Sequence, residues 1–226
     1  MVKSKEHVVS ATVEDYLKTI YKLESRDGTA VTTTALAQRL QVSPSSASGM
    51  LRKLDAMGLA THALYRGVLL TDPGRRLALM VLRRHRLLEL FLTETLGLSW
   101  DRVHEEAEVL EHTLSAELEE VIAARLGHPV RDPHGAPIPT RDGHVHGEPT
   151  ESLASLPPGT IGRLVRVSDS DPEMLRYLTA RRIALGDRAE IVERQPFGGP
   201  QLVRFGDQVH PIGHQLAQAM RVGVQK

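Results

Sequence analysis

The chain has 226 residues, 41 % of them hydrophobic, with Lys plus Arg and Asp plus Glu balanced at 28 each and no cysteine. That length carries one large domain or two to three small ones with real cores. The absence of thiols excludes disulfides, thiolate metal sites, Fe–S clusters and cysteine nucleophiles. A formal net charge of zero hides an uneven distribution. Residues 1–76 carry 11 basic and 7 acidic side chains, residues 77–127 carry 5 and 10, and residues 128–226 carry 12 and 11. A basic head joined to an acidic middle points to a polyanion partner at one end and a cation at the other. No stretch approaches the ~20 apolar residues of a membrane span, and the chain is expected in the cytoplasm.

In chain order, Val13, Leu17, Ile20, Tyr21 and Leu23 recur near the helical period and Gly28 ends the run, so residues 10–26 are predicted helical. Threonines 32–34 can cap a short helix over 35–40. After the tight connection Gln41-Val42-Ser43, Ser43 can cap a third helix with Pro44 in its first turn and Ala47, Met50, Leu51, Leu54 and Met57 on one face. Residues 59–71 read as two short strands around Tyr65-Arg66-Gly67. A long helix follows from Thr71-Asp72-Pro73 to Gly97, and another is predicted from Ser99-Trp100-Asp101 to about Leu126. Residues 128–159, rich in Pro, Gly and His and without periodicity, read as a linker, one that can pack on the domain it leaves. Beyond it, short alternating runs at 161–167, 189–192 and 202–203 and one helix at 172–182 point to a small β-barrel.

Helix, tight turn, helix and hairpin is the order of a winged helix-turn-helix, whose second helix reads the major groove from its N-terminal end. Here that end is Ser43-Pro44-Ser45-Ser46-Ala47-Ser48-Gly49. Its small hydroxyl side chains allow close approach, and Arg52, Lys53 and Arg66 supply phosphate contacts. An ordinary helical hairpin with a Ser-rich capped end would show the same pattern.

The acidic middle carries a second constellation. His104, Glu108, Glu111 and His112, at i, i+4, i+7 and i+8 of the helix after Trp100, project from one stripe, and His85 and Glu89 stand at i and i+4 on the helix before. Acidic helix faces usually pair with Lys or Arg. Here the carboxylates meet one another and histidines, and a divalent cation would relieve them. Oxygen and imidazole donors suit Mn(II), Fe(II), Zn(II) or Co(II), with Cd(II) a candidate in vitro, and argue against Cu(I). A winged-helix regulator of an organic ligand is the alternative, in which His and Glu only decorate a polar face. His104-Glu105 opens like a zinc-protease motif, but position 108 is Glu and no nucleophile elbow or phosphate loop follows, so no enzyme is expected.

The residues that carry a family resemblance are Thr12 to Tyr21, Ser43 to Gly49, Tyr65-Arg66-Gly67, Arg84 to Glu89, Val103-His104-Glu105, Glu111-His112 and Asp132-Pro133-His134-Gly135-Ala136-Pro137-Ile138-Pro139. Together they resemble the diphtheria-toxin-repressor family of metal-dependent transcriptional regulators over nearly the whole chain. The tail, through Asp171-Pro172-Glu173 and Gly186-Asp187, resembles the SH3-like third domain of its three-domain members. The resemblance implies a regulatory metal site of Asp15, Glu108, Glu111 and His112. It implies a second site of His85, Glu89 and His104, helped by Asp171 and Glu173. In the iron-responsive branch the places of Asp15 and Glu108 hold Met and Cys; two carboxylates match the manganese-responsive branch. Lys18 stands where that branch has a further carboxylate, so no closely coupled two-metal site is expected.

The expectation is therefore a mainly α protein with a small β domain. Residues 1–72 form a winged helix-turn-helix, 73–145 a helical dimerisation and metal domain, and 146–226 the linker and SH3-like β-barrel. It acts as a homodimeric repressor of metal-uptake genes on an inverted-repeat operator, with Mn(II) the favoured metal and Fe(II) next.

Overall fold

The computed structural model describes residues 9–63 and 67–224, which form two compact units. The first takes the chain up to Arg84 with Glu111–Leu114 and Pro139–His144, and the second takes His85–Leu110, Ser115–Ile138 and the chain from Val145 onward.

In the first unit, helix α1 (Ala11–Asp27) ends where Gly28 turns left-handed and its N–H reaches back to Glu24 O. Helix α2 (Thr33–Leu40) is capped by Thr32, whose side chain accepts from Ala35 N–H. Helix α3 (Pro44–Ala56) is capped by Ser43, which accepts from Ser46 N–H. Each cap satisfies an N–H that the first helical turn leaves without a partner. Strands β1 (Ala60–Ala63) and β2 (Gly67–Leu70) pair antiparallel with Ala60 opposite Leu70, and Val31 bridges to Val68. Leu17 and Ile20 of α1, Leu36 of α2, Leu51 and Leu54 of α3 and Val68 of β2 are buried in one apolar cluster. Alternate faces of short amphipathic elements can reach water exclusion only by packing this way. Tyr65 and Arg66 lie outside the described residues.

Helix α4 (Asp72–Leu96) runs on from the hairpin. Thr71 accepts from Gly74 N–H and donates its own hydroxyl to Gly58 O. A Cβ at Gly74 would stand 1.8 Å from Leu59 O, so only glycine lets this first turn meet the strand entry.

The single helix expected over 99–126 is two: α5 (Val103–Leu110) and α6 (Ala116–Arg125). Ser115 accepts from Leu118 N–H and starts α6 afresh, while Glu111 and His112 lie in the break with their side chains drawn to α1. Helical periodicity alone cannot see such a break, because 111–114 keeps an acceptable helical composition; a mid-run Ser cap was its only local sign.

The second unit holds an antiparallel six-stranded sheet of β3 (Glu151–Ser152), β4 (Ile161–Val167), β5 (Arg188–Arg194), β6 (Gln201–Phe205), β7 (Gln208–Ile212) and β8 (Met220–Val224), in the order β3-β8-β4-β5-β6-β7. Bulges interrupt the β4–β8 and β5–β6 ladders, which adds the local coiling a small SH3-like domain needs. Helices α7 (Pro172–Ala180) and α8 (His214–Ala219) cover the core of Leu164, Leu175, Leu178, Ile191, Val203 and Met220.

Part of the expected linker is built structure. Asp132 Oδ1 accepts from both His134 N–H and Ala136 N–H, Arg131 bridges to Pro137, and Val167 N–H donates to His134 O. Gly135, at φ 82°, is pressed so close to β4 that a Cβ would stand 2.0 Å from Val165 O.

Candidate metal centres and DNA interface

On α1, Glu14, Asp15 and Lys18 flank the buried stripe of Val13, Tyr16 and Leu17, so these three polar groups stand together at the edge of the first unit's core. Opposite them is the break after α5. His112 Nε2 lies 3.0 Å from Asp15 Oδ1 and 3.5 Å from Glu111 Oε1, and its Nδ1 lies 2.6 Å from Glu14 Oε2. With Nδ1–H donated to Glu14, Nε2 is the nitrogen that faces the two other carboxylates. A carboxylate behind a histidine in this way fixes the orientation of the ring. One donor atom each from Asp15, Glu111 and His112 falls within 4.8 Å of the others. Lys18, buried, also pairs with Glu111, Nζ to Oε1 being 2.5 Å.

The second unit brings together a different set. Glu89 Oε1 lies 3.0 Å from His85 Nε2 and 3.2 Å from His104 Nδ1, and the same His104 nitrogen lies 3.3 Å from Asp169 Oδ2. These four residues form one possible ligand cluster, with donor atoms within 4.8 Å of one another. Glu108 belongs to this unit too, its Oε1 3.6 Å from His85 Nδ1 and 3.7 Å from His104 Nε2. Asp171 and Glu173 take no part in the cluster. Asp171 Oδ1 accepts from Glu173 N–H as the cap of α7, and Glu173 is exposed on its first turn. Asp169, two residues earlier and ahead of the cap, supplies the carboxylate instead.

A further cluster lies beside it. The turn built on Asp132 sends His134 inward, where it is 1 % exposed. Its Nε2–H donates to Trp100 O at 2.7 Å and its ring stacks on Trp100, which aims Nδ1 at Glu89 Oε2, 3.6 Å away, and at Asp132 Oδ1, 3.9 Å away. Among the described residues, Nδ1 of His134 and Oε2 of Glu89 are buried without a hydrogen-bond partner. A buried imidazole nitrogen and a buried carboxylate oxygen facing each other across 3.6 Å fit a site that takes a cation, either a proton on the imidazole or a metal ion. The histidines of 128–159 lie in a stretch without periodic signal, which reads as a linker. The Asp-x-His spacing of an Asx-type turn was the signal available for Asp132 and His134. Nothing local marked Asp169, Glu14 or Lys18.

Electrostatics single out this cluster. Burial opposes protonation of His134, yet Glu89, then Asp132 and the Trp100 carbonyl, outweigh it and raise its pKa to about 9. Burial together with the Glu89 charge pushes Asp132 up to about 6 against the pull of Arg86 and His134. Burial would lift Glu89 as well, but the facing His85, His104 and His134 hold it well below the usual carboxylate range. The metal-free centre thus carries protons where a divalent ion would otherwise compensate the carboxylates.

At the reading head, Ser43, Pro44, Ser45, Ser46, Arg52 and Lys53 are exposed, and Ser48 and Gly49 half-buried. Ser43 Oγ lies 2.8 Å from both Ser45 Oγ and Ser46 Oγ, so the hydroxyls are gathered at the N-terminal end of α3, while Ala47, Leu51 and Leu54 anchor its other face. Arg66 lies outside the described residues.

Family models for the iron dependent repressor match in two consecutive parts, the N-terminal DNA binding domain over residues 8–68 and the metal binding and dimerisation domain over 71–140, and a FeoA domain matches 151–224. The iron-dependent repressor IdeR of Mycobacterium tuberculosis is 32 % identical over 223 residues, covering 93 % of this chain and 96 % of that one. The chain belongs to the iron-dependent repressor family. The diphtheria toxin repressor of Corynebacterium diphtheriae is 33 % identical over 222 residues, 93 % of this chain and 96 % of that one. A solved manganese-dependent transcriptional repressor in complex with manganese is 44 % identical at a TM-score of 0.90, covering 94 % of this chain and all of that one. Iron-dependent repressors are metal-dependent DNA-binding regulators of transcription and not enzymes. In this member of the family no helix among the described residues is long and apolar enough to cross a membrane.

Proposed function

We propose that this chain is a Mn(II)-responsive repressor of metal-uptake genes, working in the cytoplasm as a homodimer on an inverted-repeat operator. In this reading its domains are 1–72, 73–145 and 146–226. The observation that carries the metal reading is the convergence of Asp15, Glu111 and His112, all hard or borderline donors, with Glu14 behind the imidazole. Glu108 joins this first site on the family resemblance alone. The second site takes His85, Glu89 and His104 with Asp169 and, through the other Glu89 oxygen, Asp132 and His134; this set supersedes Asp171 and Glu173. Carboxylate oxygens suit Mn(II), and without sulfur donors the later divalent metals lose the added advantage that thiolate gives them, which makes Mn(II) the first reading; the imidazole-rich second site makes Fe(II) the second.

A divalent ion held at the first site would neutralise its carboxylates and tie α1 to residues 111–114. The rest follows from the chain's own packing. Leu17 and Ile20 of α1 share a core with Leu51 and Leu54 of α3, so a restraint on Asp15 is a restraint on the reading helix. A metal that binds the DNA-competent arrangement better shifts the population toward it, and operator and metal then strengthen each other's binding. Leu96, Val109, Leu118 and Val121 are exposed apolar side chains on α4 to α6, which supports a dimer seam there, and a two-fold dimer asks for a two-fold operator. Ser43 to Gly49, Arg52, Lys53 and Arg66 are the DNA contacts of this reading. A gel shift on the promoter of a metal-uptake gene tests it: retardation is expected with Mn(II), weaker with Fe(II) or Zn(II), and absent without metal. Retardation independent of metal would overturn it.

A further inference from the structure

Lys18 is an unusual residue to find at a cation site. It follows Asp15 by three positions and therefore shares its helix face. Its side chain is 3 % exposed although a lysine stem is long enough to carry the ammonium to water, and Glu111 is fully buried. Their close pairing offsets the cost of burying both charges. The oxygen that Lys18 holds, Glu111 Oε1, is the same oxygen that faces His112 Nε2. A metal ion among Asp15, Glu111 and His112 that takes the oxygen facing His112 has to share it with the ammonium or take it away.

We propose that Lys18 is a resident placeholder cation, which keeps Glu111 in position in the metal-free protein and sets the metal concentration at which the first site fills. The inference rests on the reading of Asp15, Glu111 and His112 as a metal site. Without the ammonium, the buried Glu111 carboxylate would lose a cationic partner, and the metal-free state would lack one of the ion pairs that join α1 to residues 111–114, beside those of His112 with Glu14 and Asp15. With it, that link pre-exists, and an incoming divalent ion meets a fixed positive charge. The lysine therefore trades affinity for a preassembled site and raises the threshold for response.

The test is isothermal titration of the full-length chain with Mn(II), with thermal unfolding of the metal-free protein beside it. The first-site isotherm is the one that His112→Ala removes. Lys18→Met should lower the metal-free melting temperature and tighten Mn(II) at that site by roughly tenfold or more, since a unit charge near a divalent ion is gone. Lys18→Arg, which keeps the charge, should stay near wild type. A folded Lys18→Met whose first-site affinity is unchanged or weaker overturns the proposal. If the neutral variant folds only on addition of Mn(II), the metal is replacing the ammonium as proposed; if it stays unfolded at saturating Mn(II), the lysine is a structural strut and the proposal fails. Should His112→Ala leave every Mn(II) isotherm intact, it is the site reading that falls, whatever Lys18→Met does.

Discussion

Raising the pH on the metal-free protein should unload the second centre through His134. Its pKa in the folded chain stands at about 9 against 6.5 for an ordinary histidine. A group with a raised folded-state pKa stabilises fully below the unfolded value and loses that contribution as pH rises through the folded one, so the window is pH 6.5 to about 9. At about 1.4 kcal/mol per pH unit the loss is on the order of 3 kcal/mol, and the near-complete burial of the ring calls for no large solvent discount. Asp132, raised to about 6, loses its own contribution between about pH 4 and 6 and so lies outside the window. For a chain of this size the change corresponds to a fall of roughly 6–12 °C in melting temperature. Trp100 is the single tryptophan and stacks on His134 at 6.0 Å between ring centroids, so its fluorescence reports on this unit. Melting followed by Trp100 emission at pH 6.5, 7.5 and 9, in chelator, gives the slope directly. His134→Gln should flatten it, and saturating Mn(II) should abolish it because a coordinated imidazole has already lost its proton. Equal slopes in wild type and His134→Gln would refute the reasoning.

Substitutions at the reading head and in the 131–138 turn probe the remaining parts. Operator binding by the Mn(II)-loaded dimer should weaken steeply with salt, and Lys53→Ala or Arg52→Ala should lower the log–log slope by about one for each phosphate left unneutralised, hence about two per dimer, while leaving sequence preference alone; an unchanged slope removes these residues from the interface. Gly135→Ala adds a Cβ 2.0 Å from Val165 O at a positive φ, so it should cost roughly 2 kcal/mol or more and weaken Mn(II) at the second site while sparing the first, as titration calorimetry would show; wild-type affinity at both sites would mean that the Asp132 turn does not position His134.

Much of the fold was legible because its signals are local. The caps at Thr32 and Ser43, the proline in the first turn of α3 and the glycine after α1 each act within four residues, and the structure uses all of them. What stayed hidden depends on partners far along the chain. The break between α5 and α6 holds Glu111 and His112 against Lys18, Asp15 and Glu14, more than 90 residues away, and no window of sequence contains both sides. The 131–138 turn is aperiodic, its order coming from Asp132 bonding its own backbone and from Gly135 meeting β4. Among candidate ligands, the helical spacing of His85 and Glu89 brought both forward, whereas Asp169 sits in a short connection whose position is set by the packing of the sheet domain.

The central claim is that metal at Asp15, Glu111 and His112 switches DNA binding. Fluorescence anisotropy of a labelled operator, titrated with Mn(II) against wild type and His112→Ala while calorimetry follows metal bound, measures it. The wild type should bind only as Mn(II) is added. His112→Ala should need roughly a hundredfold more Mn(II), or fail to bind, since losing even an outer partner of a metal histidine costs about 10–100-fold, yet it should stay folded and still take Mn(II) at the second site. Operator binding by His112→Ala with the wild-type Mn(II) midpoint would contradict the account.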